Sequence, residues 1–563
     1  MRIALAQVDT TVGDLAGNAA LVRQNVDRAR ESKADVVVFP ELTLCGYPPR
    51  DLLDRPSFLA RGRETLDRLA GEIRGITAVV GFVDVEEESG CRRLYNAAAV
   101  IRNGEVVAVR RKTLLPTYDV FDEDRHFEPC STREPVDLCG IPVGITICED
   151  IWNEPTLRRR RAYDSNPPQE LVQGGAALIL NLSASPYHLG REKERLALLR
   201  TMAERLSVPV LLCNQVGGND ELIFDGNSLA VGKNGELLAA AAAFEEDLAV
   251  VDTESPGSLP VPDRYAGSLP GGPVPDAIDV DQGCRALALG IRDYVRKCRF
   301  SDVLVGLSGG IDSCLVAALA TEALGADHVT GVAMPSPYSS DESLEDALAL
   351  SRNLGVRCLT LPIGDLLEGY RRTLAPVLGP GNEDGSVDIT FQNVQARIRG
   401  ALLMAISNRT GSMVLSTGNK SELSVGYCTL YGDMAGGLAA ISDVPKVLVY
   451  EMCRSLNRTA SRPIIPDRVL TKPPSAELSP GQKDVDSLPP YELLDPVLRE
   501  FIEEERGIEE IVARGFDRDL VRRVVGLVVS SEYKRRQAPP GLRITTKAFG
   551  SGRRMPLAQG YRG

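Results

Sequence analysis

Short apolar runs alternate with amphipathic stretches along most of the chain, and the two periods separate strands from helices. In the first 255 residues, Met1–Val8 alternates Ile3 and Leu5 with small or polar residues. Val36–Phe39, Ala78–Val83, Ile141–Ile147, Ala177–Leu182 and Val208–Cys213 are apolar runs of strand length. Ala97–Ile101 and Glu105–Val109 flank Asn103-Gly104, and Gly226–Val231 and Glu236–Ala240 flank Asn234-Gly235. An Asn-Gly pair tolerates the positive φ angles of a two-residue hairpin turn, so both arrangements predict hairpins. Asn18–Ser32 and Arg191–Leu206 carry apolar residues at helical spacing. Many strands, two hairpins and interspersed helices predict an α/β sandwich with mixed sheets.

The pattern then breaks. Ser255–Pro275 repeats Pro and Gly and reads as a linker. A helix starts near Ala277, and strand-like and helix-like segments then follow one another. Val303–Leu307, Val329–Met334, Val356–Leu361 and Met413–Ser416 read as strands, and Cys314–Leu324, Asp341–Leu354 and Asn393–Asn408 as helices. That repeat predicts a doubly wound parallel sheet. The expected organisation is a first domain over 1–255, a linker over 256–275, a second domain over 276–540 and a tail over 541–563. The tail carries Arg543, Lys547, Arg553, Arg554 and Arg562, and either a loose basic end or a cover over a neighbouring subunit fits it.

Composition narrows the function classes. A net charge of −13 argues against nonspecific nucleic-acid binding. No apolar run reaches the ~18 residues of a membrane-spanning helix, and Met1–Val8 reads as a strand, not a signal peptide. The 12 cysteines are scattered with no Cys-x-x-Cys pair, which suggests reduced thiols in a cytoplasmic protein. Three histidines, His126, His188 and His328, are too few for a His-rich metal centre.

Chemistry concentrates at strand ends. Gly306, Leu307, Ser308, Gly309, Gly310, Ile311, Asp312 and Ser313 pass from a strand through a Ser/Gly turn into a helix start. Glycines let the backbone approach a phosphate, helix-start N–H groups point at it, and Asp312 puts a carboxylate where phosphate-bound Mg²⁺ would sit. No Gly-Lys-Ser/Thr follows, so this is not a Walker loop. In the first half, Glu41, Lys112 and Cys148 each fall just past a predicted strand. A thiol attacking a carbonyl needs a base, which a carboxylate supplies, and a cation to stabilise the oxyanion, which a lysine supplies. A Cys–His pair through His126 or His188 is the competing arrangement.

These stretches resemble known families. The octet resembles the pyrophosphate loop of the ATP pyrophosphatases, which adenylate a carboxylate-type oxygen. Phe39-Pro40-Glu41-Leu42, Arg111-Lys112-Thr113-Leu114-Leu115-Pro116 and Ile147-Cys148-Glu149-Asp150 resemble, in chain order, the three signatures of the nitrilase superfamily. The resemblance implies an α-β-β-α sandwich with Glu41 as general base, Lys112 as oxyanion stabiliser and Cys148 as the nucleophile of amide hydrolysis. Tyr118, Ser185 and Arg191 look like the glutamine contacts of nitrilase-type glutaminases, and Glu128 and Glu149 would help to polarise the site.

In the second half, the octet, Met334–Ser340, Asn393–Gly400, Leu415–Glu422, Tyr431–Asp433, Asp443–Lys446, Lys472–Leu478 and Glu532–Gln537 resemble, in order, the ammonia-ligating domain of the NAD⁺ synthetases. With the first half, the resemblance points to that family's glutamine-dependent members. It implies that the octet and Thr417 bind ATP, and that Asp312 and Glu422 hold Mg²⁺. It further implies that Asn393, Glu422 and Lys534 contact deamido-NAD⁺, while Lys446 and Ser475 approach the phosphates. Glutamine, ATP and deamido-NAD⁺ would be the partners, in a homo-oligomer built on a synthetase-domain dimer. One position departs: Gln392 stands where Glu is expected before Asn393. Two other readings are a different glutamine-driven amidotransferase, of the GMP or asparagine synthetase type, and a nucleotide-binding regulatory protein with degenerate sites.

Overall fold

The computed structural model describes residues 1–88, 91–155, 163–253, 279–379 and 388–561. These fall into two compact units, Met1–Ile278 and Asp279–Gly563. The expected linker over 256–275 lies outside the described residues.

The strands of the first unit are β1 (Arg2–Gln7), β2 (Val36–Val38), β3 (Thr77–Glu88), β4 (Cys91–Arg102), β5 (Glu105–Arg111), β6 (Val136–Leu138) and β7 (Ile141–Ile147), followed by β8 (Leu178–Ser183), β9 (Val210–Asn214), β10 (Val216–Asn219), β11 (Leu222–Asp225), β12 (Leu229–Val231), β13 (Leu237–Ala240) and β14 (Asp247–Asp252). One six-stranded sheet runs β14-β1-β2-β3-β4-β5 and the other β13-β12-β9-β8-β7-β6, with β10 and β11 forming a separate ribbon. Alternation along β1 explains the layering. Ile3 and Leu5 join Val36, Val38, Ile145, Leu180 and Cys213 in the core between the sheets. Ala4 and Ala6 face the other way, into a core with Val22, Val26, Leu66 and Leu69 from helices Leu15–Glu31 and Pro56–Glu72. Helices Pro167–Gln173 and Arg191–Leu206 cover the second sheet through Leu171, Leu196, Leu199 and Met202. The unit is thus an α-β-β-α sandwich. The Asn103-Gly104 hairpin forms between β4 and β5, with positive φ at both residues (49° and 94°).

In the second unit, β15 (Val303–Gly306), β16 (Val329–Ala333), β17 (Arg357–Thr360), β18 (Met413–Ser416) and β19 (Leu438–Ala439) form a sheet in the order β17-β16-β15-β18-β19. All four pairings are parallel. The order reverses between β15 and β18, the switch point at which a doubly wound sheet opens a crevice beyond its strand ends. Helices between Lys420 and Ser530 build a second core around Leu494, Val497, Val521, Val525 and Val528. Over its described residues, 541–561, the basic tail is not a loose end. Ile544 and Thr545 donate backbone N–H groups to Asp443, Lys420 donates to the Thr545 hydroxyl and the Lys547 carbonyl, and Arg553 pairs with Glu532.

Candidate functional site

In the first unit, β2 and β5 of one sheet and β7 and β8 of the other bring their carboxyl ends to one place. Glu41 lies three residues past β2, Lys112 directly after β5 and Cys148 directly after β7; all three are buried. Gly81 on β3 makes room for the Glu41 segment, since a Cβ there would lie 2.4 Å from the Pro40 carbonyl and from the Leu42 nitrogen. The Glu41 carboxylate accepts from Lys112 Nζ (2.7 Å), Asn96 Nδ2 (2.7 Å) and the Ala184 N–H (3.0 Å), so the ends of β5 and β8 and the middle of β4 fix its position. Cys148 opens a 3-10 turn at φ +41°, a conformation uncommon outside glycine. Asp150 holds that turn. Its carboxylate accepts from the N–H groups of Ile147 (2.9 Å), Thr113 (3.0 Å) and Leu114 (2.8 Å), tying the cysteine turn to the segment that follows Lys112.

Lys112 has a further partner with no assigned role in the sequence reading. Glu123 accepts from Nζ at 2.9 and 2.8 Å and from the Tyr47 hydroxyl at 2.9 Å. Burial opposes the lysine charge, but Glu123 and Glu41 outweigh it and raise its pKa, so the ammonium persists. Burial, only partly offset by Lys112, pushes Glu123 up to about 7. Burial also pushes the Cys148 thiol well above its ordinary range; Glu41 adds to this and Lys112 opposes it. The nucleophile therefore rests as a thiol. It needs a base at the moment of attack, and a carboxylate anchored as Glu41 is can take that proton.

Of the expected glutamine contacts, Arg191 donates to the Ser185 hydroxyl (3.2 Å) and its guanidinium stacks 3.8 Å over the Trp152 ring. The Tyr118 hydroxyl donates to Glu149 (2.9 Å), as does that of Tyr163 (3.0 Å). Glu149 is buried next to Cys148, whereas Glu128 is exposed. A carboxylate and a guanidinium beside a thiol offer complementary charges to the ammonium and carboxylate of an amino acid.

In the second unit the octet runs from β15 into helix Ile311–Leu324, at the switch point. Gly309 has φ +72° and its absent Cβ would lie 2.1 Å from the Ser343 carbonyl, so no larger residue fits. The Ser308 hydroxyl accepts from the Gly310 N–H (3.1 Å), and the Ser313 hydroxyl donates to the Gly310 carbonyl (2.8 Å). Thr417, half-buried, follows β18 on the other side of the switch. Asn419 caps helix Lys420–Val425 through the Glu422 N–H and reaches Asp312 at 2.8 Å. Lys446, at the start of helix Lys446–Thr459, is buried with Nζ 2.5 Å from Asp312 and 3.0 Å from Glu422. Burial, only partly offset by Lys446, pushes Glu422 up to about 7.

The expected acid-substrate contacts converge on the next segment. Asn393 accepts from the Thr429 hydroxyl (2.8 Å), and Lys534 donates to the Gly426 (2.6 Å) and Cys428 (2.8 Å) carbonyls. Ser475 is engaged inside its own loop, donating to the Gln482 carbonyl at 2.5 Å. Gln392 Nε2 is buried without a hydrogen-bond partner among the described residues.

Residues 2–257 match the carbon-nitrogen hydrolase family model and residues 284–538 that of NAD synthase. The glutamine-dependent NAD(+) synthetase of Synechocystis sp. is 48% identical, over 99% of this chain and 99% of that protein. That of Thermotoga maritima is 45% identical, over 100% of this chain and 99% of its own length. The solved structure of the Acinetobacter baumannii glutamine-dependent NAD⁺ synthetase in complex with adenosine diphosphate superposes with a TM-score of 0.75. It is 38% identical and covers 99% of this chain and 98% of that one. With an amidase-type unit and a synthetase unit each built on its own sheet system, the chain belongs to the glutamine-dependent NAD⁺ synthetases, ligases that carry a glutaminase domain.

Proposed function

We propose that the first unit hydrolyses glutamine through Cys148 and that the second uses ATP to activate the carboxylate of deamido-NAD⁺ for attack by the ammonia released. The observation that carries this reading is the pairing of a buried Cys148/Glu41/Lys112 constellation in one unit with a Ser/Gly loop at the switch point of the other. Glu41 takes the thiol proton as Cys148 attacks the glutamine amide carbon. Lys112 steadies the oxyanion, the proton held by Glu41 passes to the amide nitrogen so that it leaves as ammonia, and water, losing a proton to Glu41, cleaves the thioester to glutamate and the free thiol. Tyr118, Ser185 and Arg191 hold the amino-acid end.

A carboxylate is a poor electrophile because its oxygen leaves badly. Its oxygen attacks the α-phosphorus of ATP, pyrophosphate departs, and an acyl-adenylate forms. Ammonia then adds to the acyl carbon, loses a proton, and the tetrahedral intermediate expels AMP. The octet and Thr417 bind the nucleotide, Lys446 meets the growing charge on pyrophosphate, and Asn393, Glu422 and Lys534 hold deamido-NAD⁺. Asp312 and Glu422 fit a hard divalent ion, since two carboxylates already meet at one cationic centre. Mg²⁺ held there would offset negative charge on the leaving pyrophosphate. Oxygen tracing tests the sequence of steps. With ¹⁸O in the nicotinate carboxylate, one labelled oxygen is expected in AMP and none in pyrophosphate; unlabelled AMP would exclude the acyl-adenylate.

Lys534→Ala is expected to raise the deamido-NAD⁺ concentration for half-maximal synthesis roughly tenfold or more, the worth of a ~1.5–3 kcal/mol charge-assisted bond. Glutamate release stays as in the parent. An unchanged dependence on the acid would leave Lys534 as a brace for segment 426–428. We also place the enzyme in the cytoplasm, on its scattered thiols, and read it as a homo-oligomer built on its synthetase units. Exposed Met404 and Tyr431 lining one cleft with Ala401 and Ala435 support an interface there, and sedimentation equilibrium of the full chain checks it.

A further inference from the structure

We infer that Lys446 is a resident cation that keeps free divalent metal off Asp312 and Glu422, so that metal enters this site only together with a polyphosphate. The inference rests on the reading of those two carboxylates as the metal pair. Lys446 Nζ lies 2.5 Å from Asp312 Oδ2 and 3.0 Å from Glu422 Oε1. A Mg²⁺ ion needs carboxylate oxygens at ~2.1 Å, which would put it on top of the ammonium. The two cations exclude one another.

The ammonium is well held where it is. Its side chain is 3% exposed. The residue's own N–H donates to the Ser421 hydroxyl at 2.9 Å, and Nζ lies 5.4 Å from the Tyr491 ring centre. The Asp312 oxygen turned away from it is taken by Asn419. Free metal must therefore displace a desolvated lysine whose ammonium is bonded, among the described residues, to the same two carboxylates the metal would need. A polyphosphate seated on the octet changes this balance. Asp312 lies in that loop, so the incoming anion offers Lys446 a new partner while the carboxylates turn to the metal. Nucleotide and metal affinities then rise together, and by linkage each raises the other by the same factor.

The test is Mn²⁺ binding to the nucleotide-free full chain, read by the electron paramagnetic resonance of unbound Mn²⁺. Lys446→Met is expected to gain one Mn²⁺ site about tenfold or more tighter than anything in the parent, within the range of ordinary coupling energies. Adding Asp312→Asn should remove the gain. Lys446→Arg keeps the charge and should bind no better than the parent. A thermal melt gives a second readout: Mn²⁺ should raise the melting temperature of the Met variant by more than that of the parent, and Asp312→Asn should remove the difference. The inference is overturned if the Met variant binds Mn²⁺ no better than the parent, or if its gained site survives Asp312→Asn. It is also overturned if Mn²⁺ without nucleotide stabilises the parent and Asp312→Asn removes that stabilisation, a measurement that stands even if the Met variant does not fold. Failure of the underlying reading looks different: Glu422→Gln would then leave the metal requirement of NAD⁺ synthesis unchanged.

Discussion

Cys148→Ala is expected to abolish NAD⁺ synthesis from glutamine while synthesis from ammonium salts persists. The substitution deletes one sulfur from a turn held by Asp150 through three backbone N–H groups, none of which involves the thiol. The local structure therefore survives. Without the thiol no glutamyl thioester forms, and a loss of about 10³-fold or more is the usual consequence of removing a covalent nucleophile. The synthetase unit needs only NH₃. Its supply rises with pH, because ammonium loses its proton, so the ammonia-driven rate should climb under mildly alkaline conditions. Glu41→Ala and Lys112→Ala should split the two activities in the same direction and less completely, since each leaves the nucleophile in place. Product formation with each nitrogen source decides the matter. Residual glutamine-driven turnover in Cys148→Ala would remove the nucleophile assignment; loss of the ammonia-driven reaction in a folded variant would remove the claim of separable sites.

Asp312→Asn is expected to depress synthesis from both nitrogen sources by about 10²–10³-fold, the scale on which removal of a preorganised electrostatic group acts. The amide oxygen can still accept from Asn419, but then the amide NH₂ faces the Lys446 ammonium, donor against donor. Glutamate release without nucleotide serves as the control, because that chemistry belongs to the other unit. Full ammonia-driven activity in the variant would be incompatible with a metal or phosphate role for Asp312.

Much of the scaffold was legible because most of its longer strands announce themselves locally. Ile141–Ile147 is an apolar run ending at a cysteine, and the structure gives β7 the same limits. Asp341–Leu354 and Arg191–Leu206 likewise form helices with the predicted ends. Strands β10, β11 and β19 are short and wholly buried, so they show no alternation to find. The site was legible only where residues adjoin a strand end. Glu123 opens a single 3-10 turn, Glu123–Arg125, whose three residues carry no periodic pattern, and it meets Lys112 only in three dimensions. Asn96 did leave a signal, a lone amide in the apolar run around Ala97–Ile101, and that amide turned out to anchor Glu41. The contact of Lys446 with Asp312 spans 134 residues, beyond the reach of any local pattern.

The packing of the tail has a consequence for the order in which the chain becomes an enzyme. The first unit is closed by β14, which pairs with β1 from Arg2 opposite Asp252. The second is closed only when Thr545 reaches Asp443 and Lys420, just ahead of Lys446. Roughly 300 residues separate the two events, on the order of 15–60 s of ribosomal elongation at ~5–20 residues per second. Every newly made molecule thus passes through an interval in which its amidase half has all its strands while its ligase half still lacks the last turn of chain that locks it. Pulse-labelled nascent chains would be expected to resist protease first over the first unit, and over the second only once Thr545 has emerged and packed.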